Sequence, residues 1–530
     1  MKTSTLQLLQ AGAVCGLLCL GAARAATPPD TLVIARDIGT LLSLDPQEAF
    51  EIASGNTLNN LYLRLVMHDP RDYQKIVPGV AQRWQASSDG KQVVFDIRPG
   101  LKFQSGAPVT AEDAAFSLHR GILMGKPSSI ILRQFGWTRD NVEQLVRAEG
   151  DKLVVSFEQP YPVDLVLSAL STAIASVVDR KEVLAHQRNG DLGNGWLKTH
   201  SAGAGPYRLR EWKSKDAVVL EAFPGYVGGA PKLERVIIRH VAEPSAQRLL
   251  LEKGDVDVAS DLNPDQIRSL EANADVSITR IPRGTVYYLA LNQANPALAK
   301  PEVWEAARWL VDYEGLADKL FLGQYKVNQA PVAQGVPSAL EDQPYKLDVG
   351  KAKALLARAG YPDGFSVAID TMPIAPYREI AQSLQGTFAQ AGVKLDLRVA
   401  DSAQVLTRYR ERRHDLIVFV WAPDYSDPSS TIEFFTRNLS NADDSPNKNA
   451  AWRSRWLIPE LTEKTEQAAH ELDADKRMQD YAALQREVRQ ESPFVFMLQQ
   501  VSAIAHRRNV LNYGGNVTFD STPFQLIEKR

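Results

Sequence analysis

A short polar and aromatic segment begins at the last residue of a strongly apolar predicted strand, residues 417–421. It reads Trp421-Ala-Pro-Asp424-Tyr425-Ser-Asp427-Pro428. Ligands of open α/β sheets bind beyond the carboxyl ends of strands. A carboxylate there makes short, charge-assisted hydrogen bonds to a cationic group, and these strengthen where water is excluded. Asp424 is therefore a candidate ligand contact, although Asp commonly caps turns; the residues alone favour the turn.

Two aromatic residues flank this acid. Trp421 and Tyr425 offer apolar pocket walls with a polar edge. For Trp421, a place in the core is an almost equally good interpretation. Asp427 is expected to begin the Asp-Pro turn and not to contact a ligand.

The sequence carries none of the common catalytic or cofactor motifs. It contains no Gly-x-Ser-x-Gly elbow, no Walker A loop and no Gly-x-Gly-x-x-Gly. The eight histidines form no close pair and no HExxH arrangement, which argues against direct metal binding; they are His68, His119, His186, His200, His240, His414, His470 and His506. We expect a protein that is not an enzyme and has no cofactor and no metal site, although a metal held by a small chelator would escape this test.

The N-terminal segment has the pattern of a secretory signal peptide. An apolar stretch at positions 6–21 precedes Ala23-Arg24-Ala25, which places small residues at the cleavage positions. Neither Cys15 nor Cys19 follows a lipoprotein motif. We therefore predict cleavage after Ala25 and export to the periplasm without a membrane anchor. The mature chain would have no cysteine and would depend on its core for stability.

Charge and composition exclude nucleic acid as a partner. The formal net charge is −3, and loss of Lys2 and Arg24 with the signal peptide would lower it to −5. The chain has no basic tract, and its isoelectric point is about 6.3. The content of hydrophobic residues, 44%, is typical of globular proteins, and a length of 530 residues predicts more than one domain.

Helix and strand patterns alternate along the chain, which predicts an α/β fold. Strands are expected at 31–36, 93–97, 286–292, 393–397, 417–421 and 494–497. Helices are expected at 53–65, 77–84, 244–253, 302–314, 348–360, 380–392 and 475–489. Ser54 or Asn56 is expected to cap the first helix, Thr110 opens a capping box with Asp113, and Gly254 suits a left-handed helix end.

Several segments together resemble the peptide/nickel-type solute-binding proteins of ABC importers. The order of turns and strands from Gly203-Ala-Gly-Pro-Tyr207 to Val258 is characteristic of this family. Leu44-Asp45-Pro46, Pro108-Val-Thr-Ala-Glu-Asp113 and Gly360-Tyr-Pro-Asp-Gly-Phe365 match further family segments. The resemblance runs from about residue 32 to the C-terminus.

The resemblance implies a two-lobe periplasmic-binding-protein clam of type II, with an additional subdomain inserted in the first lobe, that closes about a hinge. The expected division is a signal peptide at 1–25, lobe I at 26–66, 200–282 and 500–530, the inserted subdomain at 67–199, and lobe II at 283–499.

The resemblance also implies roles for individual residues. In peptide-binding relatives the acid at the position of Asp424 pairs with the α-ammonium group of the peptide, which makes Asp424 a ligand contact, with Trp421 and Tyr425 beside it. Ser54 and Gly55 match the first-lobe loop that supplies backbone contacts.

Two arginines that bind peptide carboxylates in relatives are absent here. Ala375 and Val418 stand at their positions. Four nearby arginines are candidate replacements, although such arginines more often lie on solvated helix faces: Arg378, Arg410, Arg412 and Arg413. Asp424, the residue that would bind the ligand's amine, is thus kept, whereas both arginines that would bind its carboxylate are missing. Amidation of a peptide's C-terminus is therefore expected to change its affinity little.

The implied function is that of a monomeric periplasmic binding component of an ABC importer for peptides or peptide-like solutes. Its partners would be a membrane permease pair and two cytoplasmic ATPases. The alternatives are a periplasmic peptide chaperone or sensor, and an importer protein for an opine, a sugar or a metal chelate. Neighbouring permease and ATPase genes would favour import, and a kinase or receptor gene would favour sensing.

Overall fold

The computed structural model describes residues 27–49, 51–72, 74–445, 447–517 and 522–530. The predicted signal peptide lies outside the described residues. Within them, helices and strands alternate, which confirms the predicted α/β class.

The strands vary in length from two to sixteen residues. They are β1 (Thr31–Arg36), β2 (Val66–His68), β3 (Ile76–Pro78), β4 (Ala81–Ala86), β5 (Gln92–Ile97), β6 (Val146–Glu149), β7 (Lys152–Ser156), β8 (Tyr207–Lys213), β9 (Ala217–Ala222), β10 (Arg235–His240), β11 (Val258–Ala259), β12 (Val276–Leu291), β13 (Tyr325–Val327), β14 (Ser366–Thr371), β15 (Lys394–Val399), β16 (Leu416–Trp421), β17 (Phe494–Arg507), β18 (Val510–Leu511) and β19 (Glu528–Lys529).

The α-helices are α1 (Ile52–Leu61), α2 (Ala111–Leu123), α3 (Ile130–Arg133), α4 (Val142–Leu145), α5 (Val163–Leu170), α6 (Arg180–Ala185), α7 (Asn194–Leu197), α8 (Pro244–Lys253), α9 (Pro264–Leu270), α10 (Pro301–Trp309), α11 (Val349–Arg358), α12 (Tyr377–Gln390), α13 (Ser402–Arg410), α14 (Pro428–Thr436), α15 (Ala450–Arg453), α16 (Pro459–Ala469) and α17 (Ala474–Glu491). Short 3₁₀ turns and one π-helical turn, Gly315–Leu320, complete the helical segments.

Two long strands form the centre of the largest sheet. Its order is β15-β14-β16-β12-β17-β11-β1-β10-β9-β8, and β13 also pairs with β17. β12 and β17 pair antiparallel along most of their length, with a register shift between Pro282 and Val286. These two strands therefore connect the halves of the molecule on either side of the shift.

Separate hydrophobic cores lie on the two sides. The largest cluster draws on residues between Val286 and Leu498. A second cluster lies beneath the sheet β4-β5-β7-β6, and Tyr425 joins it from a distant part of the chain. Two further clusters pack around β1, β10 and β11.

Local capping signals predict the helix ends well. The Thr110 side chain accepts a hydrogen bond from Asp113 N, and the Asp113 carboxylate accepts one from Thr110 N, which confirms the capping box. Gly254 ends α8 with φ 85°. This is the left-handed conformation that glycine adopts without strain.

The prediction of a helix at residues 77–84 is wrong. The segment forms β3 and the start of β4. Val80 N donates to Arg64 O at 2.9 Å, and an added Cβ on Gly79 would collide with that carbonyl. Contact with a remote backbone segment therefore decides the conformation, which the local pattern does not encode.

The predicted cap of the first helix is also wrong. α1 begins after Glu51 without a side-chain cap and ends at Leu61, four residues early. Ser54 Oγ donates to Ser43 O at 3.4 Å, and Asn56 Oδ1 accepts from Thr522 N at 2.9 Å. Both side chains thus bond groups outside the helix.

One helix in the segment predicted as lobe II differs from its predicted bounds. The helix predicted at 302–314 stops at Trp309, and Asp312 Oδ1 accepts from Gly315 N at 3.0 Å to start a new turn. The last three residues of β16, 419–421, are half-buried, and Trp421 lines a cavity.

Candidate functional site

The loop between β16 and α14 is held by a buried ion pair. The Asp427 carboxylate caps α14 by accepting from Ser429 N at 3.0 Å. Arg477, on α17, donates to both Asp427 oxygens, at 2.8 and 2.6 Å. Both side chains are almost fully buried. Asp427 thus starts the helix and fixes the loop, as expected, and does not point into a cavity.

Asp424 has a different environment. Its backbone N donates to Ser430 Oγ at 2.9 Å, and no side chain or backbone group in the described chain donates to its carboxylate. Burial without a compensating partner raises the pKa of Asp424 to about 6, from an ordinary 3.8. The structure therefore presents a half-buried carboxylate that has no hydrogen-bond donor among the described residues.

The two aromatic neighbours are anchored differently. Trp421 stacks on Phe434 at 3.8 Å between ring centroids, and its Nε1 donates to Thr431 Oγ1 at 3.2 Å. Tyr425 is buried, and its hydroxyl donates to Gln134 Oε1 at 2.8 Å. Gln134 lies just after α3, in the segment predicted as the inserted subdomain. Tyr425 therefore connects the loop after β16 to the segment predicted as the inserted subdomain.

A cavity of about 200 Å³ brings three predicted site residues together. Trp421, Asp424 and Tyr425 all line it. The lining also includes Ile130, Ile131 and Gln134 of the predicted inserted subdomain. The remaining lining residues are Ser429, Ser430, Glu433, Phe434, Arg437, Asn447 and Asn449. The cavity thus lies between two parts of the chain, with one uncompensated carboxylate in its wall.

A second and larger cavity, of about 340 Å³, is lined in part by Ala422 and Pro423 of the same loop. Arg36 ends β1, Ser260 follows β11, and Pro423 follows β16, so strand ends from both halves meet there. Arg283, at the register shift of β12, contributes a second positive charge to the wall. The arrangement fits the rule that ligands of such sheets bind beyond the strand ends.

Ser54 and Gly55, the other two predicted site residues, lie within α1 and line neither cavity. Their neighbour Asn56 lines the larger one. Sequence reasoning missed Arg36 and Arg283. The position of Arg36 at the end of an apolar strand was a usable signal, whereas the shift at Arg283 depends on pairing with β17.

The four candidate arginines lie away from both cavities. Arg378, Arg410 and Arg413 are exposed. Arg412 is buried: its Nη1 donates to Asn441 O at 2.7 Å, its Nη2 pairs with Asp443, and it stacks on the Trp452 ring. The expectation that Arg412 lies on a solvent-exposed helix face is therefore wrong.

The described residues contain no group of three His, Cys, Asp or Glu side chains that could hold a metal ion. No helix in the same part of the chain is long and apolar enough to cross a membrane.

Comparison with known proteins shows which family the chain belongs to. Residues 75–443 match the sequence model of the bacterial extracellular solute-binding proteins, family 5. The chain belongs to this family. The match confirms the resemblance seen in the sequence, and the family is one of solute-binding proteins and not of enzymes.

A curated relative and two solved structures extend the match beyond that region. The chain is 25% identical over 498 residues, 93% of this chain and 92% of the other, to the probable D,D-dipeptide-binding periplasmic protein DdpA of Escherichia coli K12. HbpA2 of Haemophilus parasuis aligns with a TM-score of 0.80 at 22% identity, over 94% of this chain and 100% of that one. The periplasmic binding protein DppA of Helicobacter pylori, in complex with the peptide STSA, aligns with a TM-score of 0.74 at 20% identity, over 94% and 98%. These structures confirm the periplasmic-binding-protein fold.

The raised pKa of Asp424 predicts how the stability of the ligand-free protein depends on pH. Its folded value of about 6 lies above the ordinary 3.8, so the folded state binds this proton more tightly than the unfolded state. Stability should therefore fall as the pH rises from about 4 to about 6, and the penalty should persist above that.

We expect Asp424→Asn to raise the free energy of unfolding of ligand-free protein at about pH 7.5 by up to about 3 kcal/mol, at about 1.36 kcal/mol per pKa unit. Near pH 4 the two proteins should be equally stable. Urea unfolding at both pH values, after removal of bound ligand by unfolding and refolding, measures the difference. An Asn variant that is less stable at pH 7.5 would show that the carboxylate is already paired.

Proposed function

We propose that this protein is the periplasmic substrate-binding component of an ABC importer and captures peptides or peptide-like solutes between its lobes. The observation that carries the proposal is the carboxylate of Asp424, which lies in a cavity wall without a donor among the described residues. An ammonium group of the ligand would offset its charge, and the closed cleft would strengthen the pair by excluding water.

The cavity wall supports a ligand with a free amine. Trp421 and Tyr425 line the cavity together with Asp424 and are themselves fixed, by Phe434 and Gln134 respectively. Anchors that are held in place need little reordering when a ligand binds, which favours affinity. The names of the D,D-dipeptide-binding relative and of the peptide complex of DppA point to the same ligand class.

The proposal extends to the location of the protein, its domains and its partners. Export to the periplasm by the predicted signal peptide agrees with the periplasmic relatives. Separate hydrophobic cores on the two sides of β12 and β17 support the division into lobe I, an inserted subdomain and lobe II. Closure about these two strands would present a surface for the permease to recognise.

Ligand should stabilise the protein. A peptide held between the lobes binds the folded chain only, which adds about 2.7 kcal/mol at a concentration about a hundred times its dissociation constant. We expect discrete increases in melting temperature when short peptides are screened by thermal shift, with sugars, opines and nickel chelates as the comparison set. Increases in the comparison set alone would contradict the peptide assignment and leave the family role intact.

A further inference from the structure

The predicted inserted subdomain, residues 67–199, is fixed to residues of the predicted lobe I by buried polar contacts. Arg120, on α2, donates to both carboxylate oxygens of Asp45, and both side chains are fully buried. Gln47 Nε2 donates to Ser176 O at 2.8 Å. Because breaking a buried ion pair costs several kcal/mol, we expect this subdomain to move with lobe I as one body.

The same subdomain also contacts the predicted lobe II, first at the loop after β16. The hydroxyl of Tyr425 donates to Gln134 Oε1 at 2.8 Å, and Ser168 Oγ donates to Ser426 O at 3.5 Å. The Tyr425 side chain is buried and packs into the hydrophobic cluster beneath the sheet β4-β5-β7-β6. A side chain of lobe II is therefore seated in a core that moves with lobe I.

A second contact lies at the turn after α16. His470 Nδ1 donates to Pro160 O at 2.8 Å, and the ring centroids of His470 and Tyr161 are 5.0 Å apart. The Leu472 side chain packs against Gly90, since a Cβ added to this glycine would lie 2.7 Å from Leu472 Cδ2. Leu472 is 42% exposed. The contact thus joins partly exposed side chains, which can separate without leaving a charge buried.

The two contacts are linked to each other and to the cavity lined by Asp424. The Tyr161 hydroxyl donates to Gln134 O at 2.8 Å, so these two neighbouring residues connect both places. Gln134 lines the cavity of Asp424, whereas Tyr161, His470 and Leu472 line neither cavity. An effect of the second contact on a ligand in either cavity must therefore act through the arrangement of the lobes.

We propose that these contacts form a latch that holds the lobes closed over a bound ligand and releases when the lobes separate about β12 and β17. The proposal rests on the proposed function, because it requires a ligand that is captured by lobe closure. The latch consists of Gly90, Gln134, Pro160 and Tyr161 on one side and Tyr425, His470 and Leu472 on the other. It gives Tyr425 a second role, since its hydroxyl holds the closed state while the residue lines the cavity.

Contacts that exist only in the closed state have a characteristic effect on binding and stability. They strengthen ligand binding, because the observed affinity depends on the fraction of the protein that adopts the binding-competent state. They add nothing to the free energy of unfolding of the open, ligand-free protein. A permanent contact between the same residues would do the opposite, because it would stabilise the ligand-free protein and leave the affinity unchanged.

The test uses Leu472→Ala, which shortens a latch side chain and changes neither cavity wall. The probes are tri-alanine and D-Ala-D-Ala. Calorimetry measures their affinity, and urea unfolding measures the stability of the ligand-free protein. We expect the variant to bind about three- to tenfold more weakly than the native protein, since three carbon atoms are removed from a half-buried contact. The stability of the ligand-free protein should not change.

Tyr425→Phe tests the other end of the latch. It removes the hydrogen bond to Gln134 and keeps the aromatic ring. We expect about two- to tenfold weaker binding, the usual effect of one lost hydrogen bond, again with unchanged stability of the ligand-free protein.

Leu320→Ala is the matched control. Leu320 lies in the predicted lobe II, is 43% exposed and lines neither cavity. Its substitution should change neither the affinity for the probes nor the stability of the ligand-free protein.

The outcomes separate the latch from the proposed function. Probes that bind Leu472→Ala and Tyr425→Phe as tightly as the native protein would overturn the latch and leave the proposed function standing. A loss of stability in both ligand-free variants without a loss of affinity would overturn it as well, because the contact would then be permanent. If neither probe binds the native protein, the peptide assignment fails, and the latch fails with it.

Discussion

Removing the charge of Asp424 should weaken the binding of peptides with a free N-terminus by about thirty-fold to several thousand-fold, the cost of leaving the ligand's ammonium buried and unpaired. Asp424→Asn keeps the shape of the side chain, so its effect isolates the charge. The carboxylate has no donor among the described residues and a pKa of about 6. The same substitution should therefore stabilise the ligand-free protein and weaken its complex.

The ligand offers a matched control for this prediction. An N-acetylated peptide has no ammonium group, so it should bind the native protein poorly and lose little further affinity in Asp424→Asn. Calorimetry of both peptides on both proteins completes the comparison. Equal affinity of the native protein for the free and acetylated peptides would remove Asp424 from the site and leave it as a turn residue.

Affinity for the free peptide should also depend on pH. Only the ionised carboxylate pairs with an ammonium, so affinity should fall about tenfold per pH unit below about pH 6. The acetylated peptide should show no such decrease. A flat profile for the free peptide between about pH 5 and pH 8 would contradict the assigned role.

The largest expected loss of stability comes from the ion pair beneath the loop. Arg477→Met leaves the Asp427 carboxylate buried without its cation, and breaking a buried pair in this way costs about 3–5 kcal/mol. Both side chains are almost fully buried, and two hydrogen bonds join them. Urea unfolding of the native and variant proteins measures the difference.

Lys464→Met provides the comparison for that variant. Lys464 pairs with Glu487 at 2.8 Å on the surface. Removing an exposed pair usually costs less than about 1 kcal/mol. If the two variants lose similar stability, the Arg477–Asp427 pair does not hold the loop as the structure indicates.

Local sequence signals predicted the elements that local contacts determine. The capping box at Thr110 and the glycine end at Gly254 need only neighbouring residues, and both were predicted correctly. The helix prediction for residues 77–84 failed because the backbone of Arg64 and Leu65 holds this segment as strands. The local sequence pattern does not reveal that contact.

The prediction of the site was limited in the same way, because contacts between distant residues could not be read from the local sequence. Asp424, Trp421 and Tyr425 were predicted from a strand end and a family resemblance, and the structure brings them to one cavity. The hydrogen bond from Tyr425 to Gln134 joins residues 291 positions apart and could not be read from the sequence. Arg283 was missed for the same reason, since its place depends on the pairing of β12 with β17.

A crystal structure of the complex with the tightest-binding peptide of the thermal-shift screen tests the central claim most directly. We predict a ligand between the lobes with its N-terminal nitrogen about 2.7–2.9 Å from a carboxylate oxygen of Asp424, the distance of a charge-assisted hydrogen bond. A peptide bound in the cleft with its ammonium paired elsewhere, and no ligand atom in contact with the Asp424 carboxylate, would contradict it.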